Sequence, residues 1–378
     1  MMRTDLRKKV VLLATILLVV VVWVNAGNLN PPPGPVSSTM KSLDVVEPRI
    51  PISSLPYTIA SPGSYYVTKD LTGVSGSNGI TISAGGVSLD LSGFTLRGVP
   101  GSLEGIRVTG SQTKIHIHDG ILCDWGGGGL NTQSAGKVTV QMMMMRGNNY
   151  GCCTNDETTV SYMMANNNAT DGIVMGSKGI CQNSEACGNM GKGISMGSNG
   201  LIENCHANSN SSDGISTGDS CTIRGCTTVA NGGNGLAAGS GCTVALCTST
   251  GNDIDGIDVA AGCLVRDCTT RGNANDGIES GGDCQILTNA SSANGPGMAD
   301  GAGIHVVGPG GGTRVEANNL AGNDRGIDVD STGNVIIKNT ATGGVPYSIV
   351  AGNTVGAITS AVGDGSFASA NCWANLVY

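Results

Sequence analysis

The chain is poor in the residues from which thick globular cores are built. Aromatic residues make up 3% of 378 positions, with two Phe and three Trp, and charged residues make up 13%. A wide interior layered from large rings is therefore excluded, and so is a helical domain laced with surface ion pairs. No stretch of ten or more residues carries a 3.6-residue apolar stripe, and no dense leucine consensus recurs, which excludes helical and leucine-rich repeats. Basic residues are also few, 20 Lys and Arg against 28 Asp and Glu, for a net charge of -8. Removal of Arg3, Arg7, Lys8, Lys9 and Asp5 with an N-terminal leader takes away a net +3 and leaves about -11. A surface of that sign repels a phosphate backbone, so nucleic acid is excluded as a partner, whereas cations and basic surfaces are not.

What is present is glycine, 61 residues of it, and a strict period. Asp171-Gly172-Ile173 returns as Lys192-Gly193-Ile194, Asp213-Gly214-Ile215, Asn234-Gly235-Leu236, Asp255-Gly256-Ile257 and Asp276-Gly277-Ile278, each step 21 residues long. Asparagine keeps the same register at 168, 189, 210, 231, 252, 273 and 294. Such a period marks a solenoid, whose units bury their apolar side only against neighbours, so its core grows with length and the chain need not split into domains. Each unit offers three short strand-like pieces, Gly214–Thr217, Cys221–Arg224 and Cys226–Val229 in one case, separated by Gly, Ser, Asp and Asn. Three short strands per turn describe a parallel β-helix with rungs about 4.8 Å apart. Two columns then form its core: Ile173, Ile194, Ile215, Leu236, Ile257 and Ile278, and Cys181, Ile202, Ile223, Val244, Val265 and Ile286. The asparagine series reads as a turn ladder of amides, and the glycine before each isoleucine as a corner needing positive φ or close backbone approach.

The chain divides into four parts. Residues 1–26 have a basic start, an apolar run from Val10 to Val24 and a small-residue ending, the pattern of a secretory signal peptide; an uncleaved leader would be the only membrane contact. Residues 27–56 are rich in proline and read as an extended tether. Residues 57–354 are the solenoid, with Gly79, Gly105, Gly129 and Gly151 leading in at irregular steps, and Gly303-Ile304, Gly326-Ile327 and Ser348-Ile349 following, about thirteen coils in all. Residues 355–378 read as a C-terminal cap over the open end.

With the Gly-Ile coils, the Asn ladder and the opening pattern from Ile80 to Leu96 in view, the stretch from Tyr57 to Val350 resembles right-handed parallel β-helix repeat proteins of the pectin-lyase-like superfamily. The leader, the proline-rich segment and the ending Asn371-Cys372-Trp373-Ala374-Asn375 resemble exported bacterial members with no assigned activity. The resemblance implies an all-β, right-handed, single-stranded parallel β-helix, secreted, periplasmic or at the cell surface, with extracellular or cell-wall polysaccharide as the ligand class. It does not by itself carry an activity. The Asn-Thr-Asp, Asp-Asp, Gly-His-Gly and Arg-Ile-Lys set of polygalacturonases is absent, and so is the Tyr-Gly-Phe-Asp-Pro-His stretch of alginate epimerases.

One outward row bears chemistry. The residue after each Gly-Ile runs Val174, Ser195, Ser216, Ala237, Asp258, Glu279, His305, Asp328, and the last four titrate. On adjacent rungs, carboxylates such as Asp258 and Glu279 stand near the ~5 Å separation of retaining glycosidases. Crowding raises a carboxyl pKa or recruits a cation, with Ca²⁺ held by Asp258, Glu279 and Asp328 as the one cofactor possibility. Asp255, Asp276, Arg325 and Asp330 are nearby candidates for ligand contact. Two readings follow: a structural or polysaccharide-binding protein whose row is a solvated acidic face, and a lyase, hydrolase or epimerase of acidic glycans that uses the row. An oligomeric scaffold is a third.

Other conspicuous residues read as structure. Cys221, Cys242, Cys263 and Cys284 form one ladder, and Cys205, Cys226, Cys247 and Cys268 another, both inward and spaced too widely for relaxed disulfides; only a pair across one corner, such as Cys221 with Cys226, stays open. A ladder does not converge on a metal ion. Strand alternation buries about half of Met142–Met145, Met163 and Met164, against soft-metal ligation. His116 and His118 share a strand face beside Asp119 as a solvated pair, with too few ligands for zinc. Trp125, Tyr150 and Tyr162 are the candidate sugar-stacking rings.

Overall fold

The computed structural model describes residues 47–296, 301–360 and 371–378; the leader and most of the proline-rich segment lie outside the described residues. Among the described residues no helix is long and apolar enough to cross a membrane.

Arg49–Tyr378 form one compact unit, and every strand in it pairs in parallel. One coil shows the plan. Ile215–Thr217 lies in a first sheet (sheet I), Thr222–Arg224 in a second (sheet II) and Thr227–Val229 in a third (sheet III). Each stacks in register on its counterpart one coil on: Ile215 on Leu236, Ile223 on Val244, Thr228 on Ser249. Strands of three residues suffice because alternation sends the middle or the flanking side chains inward, and the next corner comes at once. The result is a right-handed parallel β-helix.

The inward columns are those the repeat specifies. Ile173, Ile194, Ile215, Leu236, Ile257 and Ile278 are at most 1% exposed, and the column from Cys181 to Ile286 is fully buried. Each such aliphatic side chain contributes ~1.5–3 kcal/mol through burial. Sheet III supplies a narrower column of Ala186, Ala207, Thr228, Ser249, Thr270 and Ser291, in which Thr228 donates to Ser249 at 2.8 Å and Thr270 to Ser291 at 2.9 Å, so the buried hydroxyls are paired. At the Gly-Ile corner the glycine is needed for closeness: a Cβ on Gly193 would lie 2.6 Å from both Asn210 Nδ2 and the Gly214 carbonyl.

Three corner ladders hold the coils in register. In the first, each asparagine's Oδ1 accepts both the backbone and the side-chain N–H of the asparagine one coil earlier, as Asn231 does for Asn210 at 3.1 and 3.0 Å. The cysteine ladders occupy equivalent corners and do the same work more weakly. Cys221 N–H donates to Cys242 Sγ at 3.2 Å and Cys242 N–H to Cys263 Sγ at 3.3 Å; the series then passes to Thr313 Oγ1 and Asn334 Oδ1 without a break. All fourteen cysteines are free, including Cys221 and Cys226.

The structure differs from the sequence reading at both ends. The sheet II column runs from Ile50–Ile52 to Thr354–Val355 and holds fifteen strands, so there are about fifteen turns rather than thirteen. The first coil therefore begins inside the segment read as tether: Ile50–Ile52 pairs with Tyr65–Val67, with Ile52 buried and Pro51 outward on the edge strand, where its missing N–H costs no ladder bond. At the other end Asn375–Val377 lies between Thr340–Ala341 and Ile358–Ser360, and Asn375 extends an asparagine ladder by accepting from Asn339. These strands lack the Gly-Ile mark, which is why the period does not count them.

Candidate functional site

The outward row stacks as the period demands. Asp258 is opposite Glu279, Glu279 opposite His305, and His305 opposite Asp328, on four consecutive rungs of sheet I. Upstream row positions from Val174 to Glu279 are half-buried, but His305 is only 7% exposed and Asp328 1%. The row is thus no solvated acidic face at this end. The coil from Asn294 to Asn323 spans 29 residues where the one before it spans 21. Downstream of this enlarged coil Arg325 and Asp330 fold over the row.

His305 is the hub. Its Nδ1 is 3.0 Å from Asp276 Oδ2, and its Nε2 is 3.3 Å from Asp330 Oδ2 and 4.0 Å from Asp328 Oδ2. Burial works against the charged ring, but the hydrogen bond and charge of Asp276, followed by Asp330 and Asp328, overcome it and push the pKa up to about 9. Arg325 pairs closely with Asp328. Burial pushes Glu279 up to about 7, aided by the charges of Asp255, Asp258 and Asp276 and opposed by His305. Asp258 is raised by burial and by Asp213, against a hydrogen bond from Asn234 Nδ2 at 3.1 Å. Burial lifts Asp255 to about 6. The row therefore holds two carboxyl groups that ionise reluctantly beside an imidazolium that keeps its proton through neutral pH.

Two of the candidates for ligand contact, Asp255 and Asp276, also have structural work. Asp255 Oδ1 accepts Asp276 N–H at 2.9 Å and Asn275 Nδ2 at 2.8 Å, and Asp276 Oδ1 accepts Ala302 N–H, continuing a corner ladder that Asp171 and Asp213 form in earlier coils. Asp276 also orients His305. Asp258, Glu279 and Asp328 do not converge as a cation site, because His305 lies between Glu279 and Asp328. Around the row the triads whose ligand atoms do approach one another are Asp276, Glu279 and His305, and His305, Asp328 and Asp330; elsewhere Asp90, His118 and Asp119 do so as well. A metal on the row would have to displace a tightly held proton from His305.

The other candidates sort by burial. Trp125 is 1% exposed and donates Nε1–H to the Leu96 carbonyl at 3.0 Å, so it is core rather than a sugar platform. Tyr150 is half-buried, within hydrogen-bond reach of Asn131, and only Tyr162 stands out in solvent. Met143, Met145 and Met163 are buried, whereas Met142 and Met164 are exposed. His116 and His118 stack at 4.4 Å, with His116 Nε2 held 3.1 Å from Gln141 Oε1. Near His118, Asp90 is engaged by Arg49 at 2.7 Å.

No protein-family model and no curated protein matches the sequence. Solved structures do match in three dimensions. The A-module of the Azotobacter vinelandii mannuronan C-5 epimerase AlgE4 superposes with a TM-score of 0.52 at 16% identity, over 74% of this chain and 86% of that one. The A-module of AlgE6 from the same organism gives 0.50 at 16%, over 84% and 90%. What they share with this chain is the parallel β-helix fold. The periplasmic alginate epimerase AlgG has a TM-score of 0.47 at 11% identity, over 72% and 76%. At 16% identity the likeness of the two A-modules concerns the fold and leaves chemistry to the residues themselves.

Proposed function

We propose that the chain acts on polysaccharide laid along sheet I, and that Glu279 and Asp258 carry out glycosidic bond cleavage there. The observation that carries this reading is the adjacency of two carboxyl groups on one outward row, one of them lifted to about 7, beside a buried imidazolium fixed by Asp276. Protonated Glu279 is suited to donate its proton to the glycosidic oxygen as the bond to the anomeric carbon breaks. Asp258, one rung away, attacks that carbon as carboxylate and forms a glycosyl ester. Water, deprotonated by Glu279, then hydrolyses the ester with overall retention. His305⁺ offsets negative charge gathering on the row. The likeness to the two mannuronan epimerase modules supports polysaccharide as the ligand class.

The charge of the site favours a glycan without carboxylates of its own. Asp213, Asp255, Asp258, Asp276, Glu279, Asp328 and Asp330 surround the row, against Lys192, His305 and Arg325, and Lys192 and Arg325 are already paired with Asp213 and Asp328. A uronate polymer would meet repulsion at every subsite unless a cation screened it. The test is a degradation screen on neutral and uronic-acid polymers with the full chain, Asp258→Asn and Glu279→Gln. Release of reducing ends from a neutral polymer by the wild-type chain, lost in both variants, is the expected result; equal release by all three proteins rejects the assignment.

A second reading has its own support. The unbroken rod of paired coils and the absence of known catalytic signatures favour a purely binding or structural role at the cell envelope. That reading predicts glycan retention without turnover, unaffected by Glu279→Gln.

A further inference from the structure

At most corners between sheets II and III the chain takes one left-handed residue. Asp119, Asn183, Asn204 and Gly225 fill that place with φ of 65, 50, 53 and 63°. These are residue types that tolerate the left-handed region. Met142 and Tyr162 occupy the same corner at φ of 50 and 54°, although bulky side chains are costly there, by ~1 kcal/mol or more. Burial does not compensate: Met142 is 54% exposed and Tyr162 61%. Asparagine would serve the coil better at either place. Leu246 takes the same corner at φ of 57° and is 62% exposed, so the strain alone does not set Tyr162 apart; the surface around it does.

The surface beside Tyr162 is hollowed on both sides. A depression of about 600 Å³ is lined by Tyr162, Met164, Asn183, Glu185, Asn204 and His206. A second, of about 310 Å³, lies toward Met142 and Met144 and shares Tyr162 and Met164. Within the larger one Met164, Glu185 and His206 are successive rungs of sheet III. The side-chain amides of Asn183 and Asn204 and the His206 ring make no hydrogen bond among the described residues, while Glu185 accepts one from Cys187 at 3.1 Å. An exposed ring next to unpaired amides, a carboxylate and an imidazole matches a pyranose, whose C–H face packs on the ring while its hydroxyls bond the polar groups.

We infer that Tyr162 and the neighbouring depression form a second glycan-binding site, on a corner away from the acidic row of sheet I. It rests on the reading that this chain handles polysaccharide, and it adds a holding contact remote from the acid–base pair. A peptide or an amphiphile would use the ring and methionines but leave the Asn183, Asn204 and His206 side chains unmatched.

The test is affinity electrophoresis of the full chain through gels cast with a neutral glucan, a mannan, a galactan or a polyuronate, alongside a decanoyl detergent and an unrelated peptide as competitors. Tyr162→Asn is expected to weaken retention on the bound glycan at least tenfold and to raise thermal stability, because asparagine suits the corner. Tyr162→Phe should retain binding and Asn183→Ala should lose part of it. Unchanged retention in Tyr162→Asn overturns the second site, as does displacement by detergent or peptide in place of sugar. These outcomes leave the sheet I reading standing, since that is scored by loss of cleavage in Glu279→Gln; a wild-type chain that retains no glycan and cleaves none overturns both.

Discussion

Replacing Asn231 with alanine perturbs the corner ladder at its centre. Asn231 is fully buried; its Oδ1 accepts from Asn210 N–H at 3.1 Å and Asn210 Nδ2 at 3.0 Å, and its Nδ2 donates to the Ala207 carbonyl at 3.1 Å and Asn252 Oδ1 at 3.0 Å. Alanine leaves the Asn210 N–H without its acceptor, at ~1–3 kcal/mol, and removes three further bonds at ~1 kcal/mol each, for a total of roughly 4–6 kcal/mol. Because a solenoid's coils depend on nearest neighbours, the loss should be local first. Hydrogen exchange at the Asn210 amide should accelerate at least ~100-fold, with the equilibrium unfolding curve shifted in the same direction. Asn231→Asp keeps the acceptor but loses both donors, and should recover part of its stability on acidification as the carboxyl regains a proton. A loss below ~1 kcal/mol in Asn231→Ala, with Asn210 protection intact, would refute the view that the amide column holds the coils in register.

Four further outcomes follow. Asp255, Glu279 and His305 all have folded-state pKa values raised above their ordinary ones, to about 6, 7 and 9; each therefore adds stability in full below the ordinary value and loses it as pH rises through the folded value. The melting temperature should fall stepwise between pH 4 and 9, and His305→Asn should lack the step between 6.5 and 9. Trp125→Ala empties a site against Gly73, Gly79 and Gly105 and removes the indole's hydrogen bond to the Leu96 carbonyl, costing ~3–5 kcal/mol by chemical denaturation. Native alkylation followed by mass spectrometry should label exposed Cys372 and spare Cys221, Cys242, Cys263 and Cys284, which become reactive only on unfolding. Cys242→Ser keeps an acceptor for the Cys221 N–H and should destabilise by less than Cys242→Val, which removes it.

The columns were legible because the period is strict: once Ile215 is placed, Leu236 and Ile257 follow, and so do the asparagines. The row from Asp258 to Asp328 was legible for the same reason, since its members sit one after each Gly-Ile pair. What the period could not convey is burial. Nothing in the sequence distinguishes outward Glu279, half-buried, from outward His305, nearly covered; the difference arises from Asp276, Arg325 and Asp330 closing over the row beyond the enlarged coil. The role of Asp255 and Asp276 as ladder members was readable in principle, because Asp171 and Asp213 stand at the same register. The left-handed corner was hidden by its varied occupants, Asp119, Met142, Tyr162 and Asn183 among them. The first and last coils were missed where Ile50–Ile52 and Asn375–Val377 form strands without the glycine signature.

The sheet I assignment is tested most directly by the pH dependence of kcat/KM for cleavage of a neutral polysaccharide by the full chain and by Glu279→Gln. A wild-type rate that declines above about pH 7 as Glu279 loses its proton, with cleavage abolished and binding retained in the variant, is the predicted result. A Glu279→Gln protein that cleaves at the wild-type rate with the same pH profile would contradict it.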